Sequence, residues 1–211
     1  MTPSTDNKKI AIISCSTRVP RVNPYISTYI QSVVAPLAPS NVSFTILDIA
    51  DQGLPLYDEP AVPSTFPPSD PTPHYAHAHT RAWSSVISSY DGFIFVTPQY
   101  NWSVPASLKN ALDYLFYEWK GKPAAIVTYG GHGGNKAAEH LRGILGGLRM
   151  QAAATNVLLP IPVRTFMQTL QEHGKVPEDQ IKVWREAGVE DRIQESLEQL
   201  VQLLQQPPAE K

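Results

Sequence analysis

Residues 8–24 read KKIAIISCSTRVPRVNP, and the order of residue types in this stretch decides the fold. The apolar run Ile10–Ile13 is too short for a helix and is rich in β-branched residues, which marks a buried central strand. The strand stops at Ser14. Polar Ser16, Thr17, Arg18 and Arg21 follow, and Asn23-Pro24 then offers a helix N-cap with proline at the first helical position, predicting a helix to about Val34. A buried strand, a polar loop and a helix in succession form the opening of a parallel β-α unit, because parallel strands need crossover connections.

The same alternation continues outward. Val42, Phe44 and Ile46 alternate with polar Ser43 and Thr45, the period of a half-exposed strand near a sheet edge. Residues 50–73 are dense in proline and carry no apolar periodicity, so they read as a long ordered loop within one domain. A helix carrying Tyr75, Ala82, Val86 and Ile87 comes next, then a strand at Phe93–Val96 with a proline-marked exit. Ser103 is positioned to cap a helix with Pro105 in its first turn and Leu108, Ala111, Leu112 and Leu115 on one face, ending near Trp119. Ala124–Val127 is a fourth strand. Glycines at 130–134 precede a helix striped by Leu141, Ile144, Leu145 and Leu148, and a fifth strand falls near 151–157. The last helix, about 189–205, places Ile193, Leu197, Leu200 and Leu204 on one face, with Pro207 beyond its end.

Five strands alternating with helices predict an α/β fold of three layers, a parallel sheet in the order 2-1-3-4-5 covered by helices on both faces. Residues 8–206 read as a single domain, with residues 1–7 and 207–211 as disordered tails. Ligands of such sheets bind at the carboxyl ends of the strands, where the order reverses between strands one and three. Three loops therefore carry the functional expectation.

The first is Ser14–Arg18, leading to Asn23. Hydroxyls, a guanidinium and a helix amino terminus suit a phosphate dianion, although the same residues also describe an ordinary polar turn with a surface arginine. The second, Thr97–Ser103, sets Tyr100 and Trp102 beside Gln99 and Asn101, a combination that can flank a flat heterocycle or simply pack a turn or a subunit contact. The third, Tyr129–Gly134, has four glycines around His132 and allows close backbone approach to a ligand. Its spacing is not G-x-G-x-x-G and it follows strand four, which excludes a Rossmann fingerprint, and it is equally far from a Walker A loop.

The segments TPQYNW (97–102), LKNALD (108–113), EWKGKPA (118–124) and YGGHGG (129–134) occur in the order and spacing of the NADPH-dependent FMN reductase family. Between about Lys9 and Pro162 the chain resembles that family, and within it the fungal FMN-dependent NAD(P)H:quinone reductases. The resemblance implies a flavodoxin-like fold with bound FMN, NADPH or NADH as electron donor, and a quinone-like or flavin acceptor. It implies that Ser16, Arg18 and Asn23 belong to the phosphate loop. Pro98, Gln99, Tyr100 and Asn101 would edge the isoalloxazine, and Gly130, Gly131, His132 and Gly133 would form the pyrimidine-side loop. A homodimer with the flavin near the subunit interface is also implied. Cys15 stands where the family usually has glycine; if that position needs a positive φ, the loop is strained.

Other readings are weaker. Lys and Arg total 17 against 19 Asp and Glu, for a net charge of −2, so neither nucleic-acid binding nor an acidic docking surface is indicated. An electron carrier of this fold and a redox-sensing interaction protein are the competing functions; the carrier lacks the acidic face with which carriers meet basic partners. Cys15 is the one cysteine, which precludes an intrachain disulfide or a cysteine-built metal site and fits a reducing, cytoplasmic setting. His74, His77 and His79 cluster, but on a helix His77 and His79 point to different faces, and no metal is expected. Ser16 lacks the G-x-S-x-G elbow of an esterase nucleophile. No segment approaches the roughly 18 uninterrupted apolar residues of a membrane span.

Overall fold

Alternate residues of β1 (Lys8–Ser14) enter two different cores. Ala11 and Ile13 join one, Ile10 and Ile12 the other. A strand buried on both faces must lie inside the sheet, and β1 pairs in parallel with β2 (Val42–Asp48) on one side and β3 (Gly92–Pro98) on the other. β4 (Pro123–Gly130) adds to β3, so the computed structural model, which describes residues 7–162 and 165–206, has the order β2-β1-β3-β4 followed by the final edge. Of the tails expected at residues 1–7 and 207–211, residues 1–6 and 207–211, with Pro207, lie outside the described residues.

That final edge differs from the single strand expected at 151–157. β5 (Gln151–Ala152) pairs with Pro123–Ala124, whereas β6 (Val157–Pro160) pairs with Val127–Gly130. Between them the chain bulges because side chains capture its polar groups. The Arg142 guanidinium donates to the carbonyls of Ala153 and Ala154, and Thr155 N–H donates to Gln199 Oε1 at 2.9 Å.

Helices α1 (Asn23–Val34) and α7 (Val189–Leu204) cover one face; α2 (Ala78–Ser88), α3 (Ala106–Asp113) and α4 (Asn135–Gly147) cover the other. Two further helices, α5 (Phe166–His173) and α6 (Glu178–Glu186), were not anticipated, since each is about two turns long and carries few apolar residues. They are held by tertiary contact. Phe166, Leu170 and Trp184 are buried in the α1/α7 core, and Trp184 Nε1 donates to the Pro160 carbonyl at 2.7 Å.

Several local expectations are corrected. Asn23 is not a side-chain cap: it is the first residue of α1, and its amide is committed elsewhere. Ser103 does not cap α3, which begins at Ala106 after Pro105 and ends at Asp113; the chain then turns to bury Trp119 instead of carrying it on the helix. Tyr75 lies ahead of α2, not on it. His77 likewise precedes α2, so its ring stacks on His79 at 5.1 Å and both approach Asp58, contrary to their expected divergence.

The proline-rich segment is ordered, as expected, and the reasons are specific. Glu59 accepts the N–H groups of Ala76 and His77, Asn110 accepts Tyr57 N–H and donates to Pro55, and Tyr114 Oη donates to Asp58. These bonds strap the loop across α3 and join its far end to the start of α2.

Candidate functional site

The carboxyl ends of β1, β3 and β4 lie side by side, so the loops leaving them converge. Between them is a cleft of about 290 Å³, just below the ~300–1,000 Å³ usual for ligand pockets. Of the residues singled out in the sequence, Arg18, Pro98, Gln99, Tyr100, Gly130, Gly131 and His132 line it. Ser16, within the loop after β1, and Asn23, at the start of α1, are buried, Asn101 sits at an exposed turn tip, and Gly133 packs away from the cleft. Arg21, Val22, Tyr129, Gly134, Ile161 and Met167 also line the cleft, along with Pro20. Ile161, just after β6, and Met167, on α5, were not signalled by the sequence.

The first loop is shaped by buried bonds. Ser16 N–H donates to Asn23 Oδ1 at 2.6 Å, and Asn23 Nδ2 donates to the Val96 carbonyl at 3.0 Å, tying the loop and the start of α1 to the end of β3. Cys15 is not in the left-handed region, so the cysteine in place of the family glycine brings no such strain. Its N–H bonds Val96 O and its thiol donates to Ile13 O, while burial pushes the thiol pKa up and keeps it neutral. Arg21 donates to Asp48 Oδ1 at 2.6 Å. Arg18 has no carboxylate partner among the described residues and lines the cleft where α1 presents its positive end.

The second loop closes as a two-residue turn. Tyr100 N–H bonds Ser103 O and Ser103 N–H bonds Tyr100 O, both at 2.9 Å, with Asn101 at φ 46° and Trp102 at φ 65°. Such turns need positive φ at both central residues; Asn accepts this readily, whereas Trp102 is strained and is 69% exposed. Gln99, which also lines the cleft, spends its amide oxygen on Lys136 N–H at 3.0 Å, supplying the cap that α4 lacks at Gly134.

In the third loop the glycines divide their work. Gly133 and Gly134 have φ of 78° and 83°, and a Cβ at either would lie 2.9 or 3.0 Å from the side chain of Leu158 or Thr128. These two let the loop fold. Gly130 has ordinary space around it and, with exposed His132, faces the cleft. Tyr129 closes the floor, and burial pushes its hydroxyl well above the usual range, so it remains a neutral donor.

An uncompensated guanidinium at a helix amino terminus, beside a slot edged by Tyr100 and glycine backbone, fits a phosphate-bearing flat ring. A doubly wound parallel sheet with that cleft at its switch point is a flavodoxin-like fold. The chain belongs to the NADPH-dependent FMN reductase family, whose model matches residues 8–161. It is 38% identical over 200 residues to the NAD(P)H-dependent FMN reductase ntnL of Nectria sp, covering 94% of this chain and 98% of that one. It is 38% identical over 143 residues to a 2-hydroxy-1,4-benzoquinone reductase of Burkholderia sp, covering 64% and 69%. The fold matches FerB, a flavoenzyme NAD(P)H:(acceptor) oxidoreductase from Paracoccus denitrificans, with TM-score 0.61 and 24% identity over 90% of this chain and 97% of that one. The protein is thus an FMN-dependent oxidoreductase that takes electrons from NADH or NADPH. Among the described residues no helix is long and apolar enough to cross a membrane.

Proposed function

We propose that the cleft holds FMN with its phosphate on the 15–21 loop and its ring between Pro98–Tyr100 and Gly130–His132, and that a quinone-like or flavin acceptor follows the nicotinamide into the same space. The observation that carries this reading is the Arg18 guanidinium, without a carboxylate partner among the described residues, at one end of a cleft whose other end is edged by Tyr100 and glycine backbone. FMN, when bound, supplies the two-electron chemistry. The chain supplies position: Arg18 for the phosphate, Gln99 and the 130–131 backbone for the ring edge, and Tyr129 as a neutral donor below. No side chain is assigned as acid, base or nucleophile. A homodimer, implied by the family resemblance, and a cytoplasmic setting, which the single buried cysteine suits, belong to the same reading.

Arg18→Ala tests the placement. A charge-assisted hydrogen bond contributes about 1.5–3 kcal/mol, so FMN affinity should fall roughly 10- to 150-fold while riboflavin affinity stays within about twofold. Equal losses for both flavins, read by fluorescence titration of the flavin-free protein, would place the phosphate elsewhere.

The order of events has its own test. Nicotinamide and acceptor are both flat and partly apolar, and a single cleft of this size takes them in turn. Double-reciprocal plots against nicotinamide at several fixed quinone concentrations should be parallel, with each substrate competing against the other when in excess. Intersecting lines would show two separate sites.

A further inference from the structure

Ser16 has little left to offer a ligand. Its N–H goes to Asn23 Oδ1 and its carbonyl accepts Arg21 Nη1 at 2.7 Å. Its hydroxyl meets Tyr100 Oη at 2.9 Å and accepts Arg18 N–H at a long 3.4 Å. The same Arg21 nitrogen reaches Asp48 Oδ1, and Asp48 ends β2 in register with Ser14 of β1. Three strand ends are therefore joined by one run of bonds: Asp48 from β2, Arg21 and Ser16 from the loop after β1, and Tyr100 from the loop after β3. The run is shielded. Ser16 is fully buried, and the Arg21 and Asp48 side chains are 20% and 14% exposed, so their attraction is screened less than that of a surface pair.

We propose that Asp48, Arg21, Ser16 and Tyr100 form a positioning chain that fixes the phosphate loop against the ring loop, with Arg21 and Ser16 acting through geometry and not as phosphate ligands. Asp48 compensates the Arg21 charge, which leaves Arg18 to meet the phosphate. Tyr100 belongs to both loops at once: its ring edges the cleft while its hydroxyl is bonded to Ser16. Disturbing the Arg21 end must then be felt at Tyr100, because Ser16 is bonded to both through one residue's carbonyl and hydroxyl.

The proposal rests on the placement of FMN given above, and it separates from that placement by which flavin suffers. A direct phosphate ligand affects FMN alone, as expected of Arg18. A positioning residue affects both flavins, because the ring loop moves with the phosphate loop. Arg21→Met should weaken FMN and riboflavin alike, by about 5- to 20-fold, the scale of one or two lost buried hydrogen bonds. Tyr100→Phe should weaken both by about threefold. The double variant should be no weaker than Arg21→Met by more than about 1.5-fold, since residues in one network are not additive. Losses that multiply, or a loss confined to FMN, overturn the proposal.

A second measurement needs no flavin. In the flavin-free protein, amide hydrogen exchange at Ser16 and Arg18, followed by NMR, should quicken about tenfold in Arg21→Met and measurably in Tyr100→Phe, because local opening becomes easier. This reading stands even if Arg18→Ala shows FMN to bind elsewhere. Unchanged exchange in either variant overturns the chain.

Discussion

Gly134→Val is expected to empty the cleft of flavin and to cost about 3–5 kcal/mol of folding stability, from two sources that add. The backbone at Gly134 has φ 83° and ψ 31°, a left-handed conformation that a β-branched residue adopts only under strain. The added Cβ would lie 3.0 Å from Thr128 Cβ and 3.1 Å from the Tyr129 carbonyl, and neither can retreat, because both belong to β4 between paired strands. The loop that edges the ring would be displaced as a unit. Visible absorbance of the purified variant and its thermal midpoint check this directly. Gly143→Ala is the control: it lies within α4 with nothing within 4 Å of the added methyl, so it should stabilise by about 0.5–1 kcal/mol and keep its flavin. A Gly134→Val protein that purifies yellow with an unchanged midpoint would contradict the geometry of this turn.

Asn23→Ala should be nearly as damaging, although it removes only one small side chain. Asn23 is wholly buried, and its amide holds Ser16 N–H on one side and the Val96 carbonyl on the other. Alanine leaves Ser16 N–H buried without its acceptor; Val96 O keeps the bond from Cys15 N–H, so one group is orphaned and not two. The expected cost is about 2–4 kcal/mol, the orphan's desolvation plus the lost bonds. For a chain of this size that is a fall in Tm of roughly 5–15 °C. FMN affinity should drop by about a hundredfold or more, because the phosphate loop loses its tie to β3. Asn23→Asp keeps the acceptor for Ser16 but not the donor to Val96, and should fall between wild type and alanine. If Asn23 served only as a helix cap, Asn23→Ser would restore Tm and FMN affinity fully; the structure predicts that it restores neither, since serine cannot span both partners.

How much of this was legible beforehand depends on the range of the physics. The apolar runs at Ile10–Ile13, Phe93–Val96 and Ala124–Val127 and the alternation at Val42–Ile46 are local patterns, and each became the strand expected of it. Their burial types separate an alternating edge strand from continuous inner ones, and the crossover helices between parallel strands supply the rest of the order. The family motifs also identified the cleft's loops, because those residues are consecutive in the chain.

The sequence by itself therefore determined the parallel sheet, its order, the three converging loops and the flavin chemistry they suit. Tertiary structure alone decided what the polar side chains do. Asn23 looks like a cap because caps are recognised from neighbours, yet its partners are 7 and 73 residues away. Arg21 looks solvated until Asp48, 27 residues on, is brought beside it by the pairing of β1 with β2. α5 and α6 are too short and too poor in apolar residues to be read as helices, and they exist because Phe166, Leu170 and Trp184 are buried against α1 and α7. Hydrogen bonds and ion pairs are short in space but carry no period along the chain, so they are fixed only when packing has set which strand ends meet.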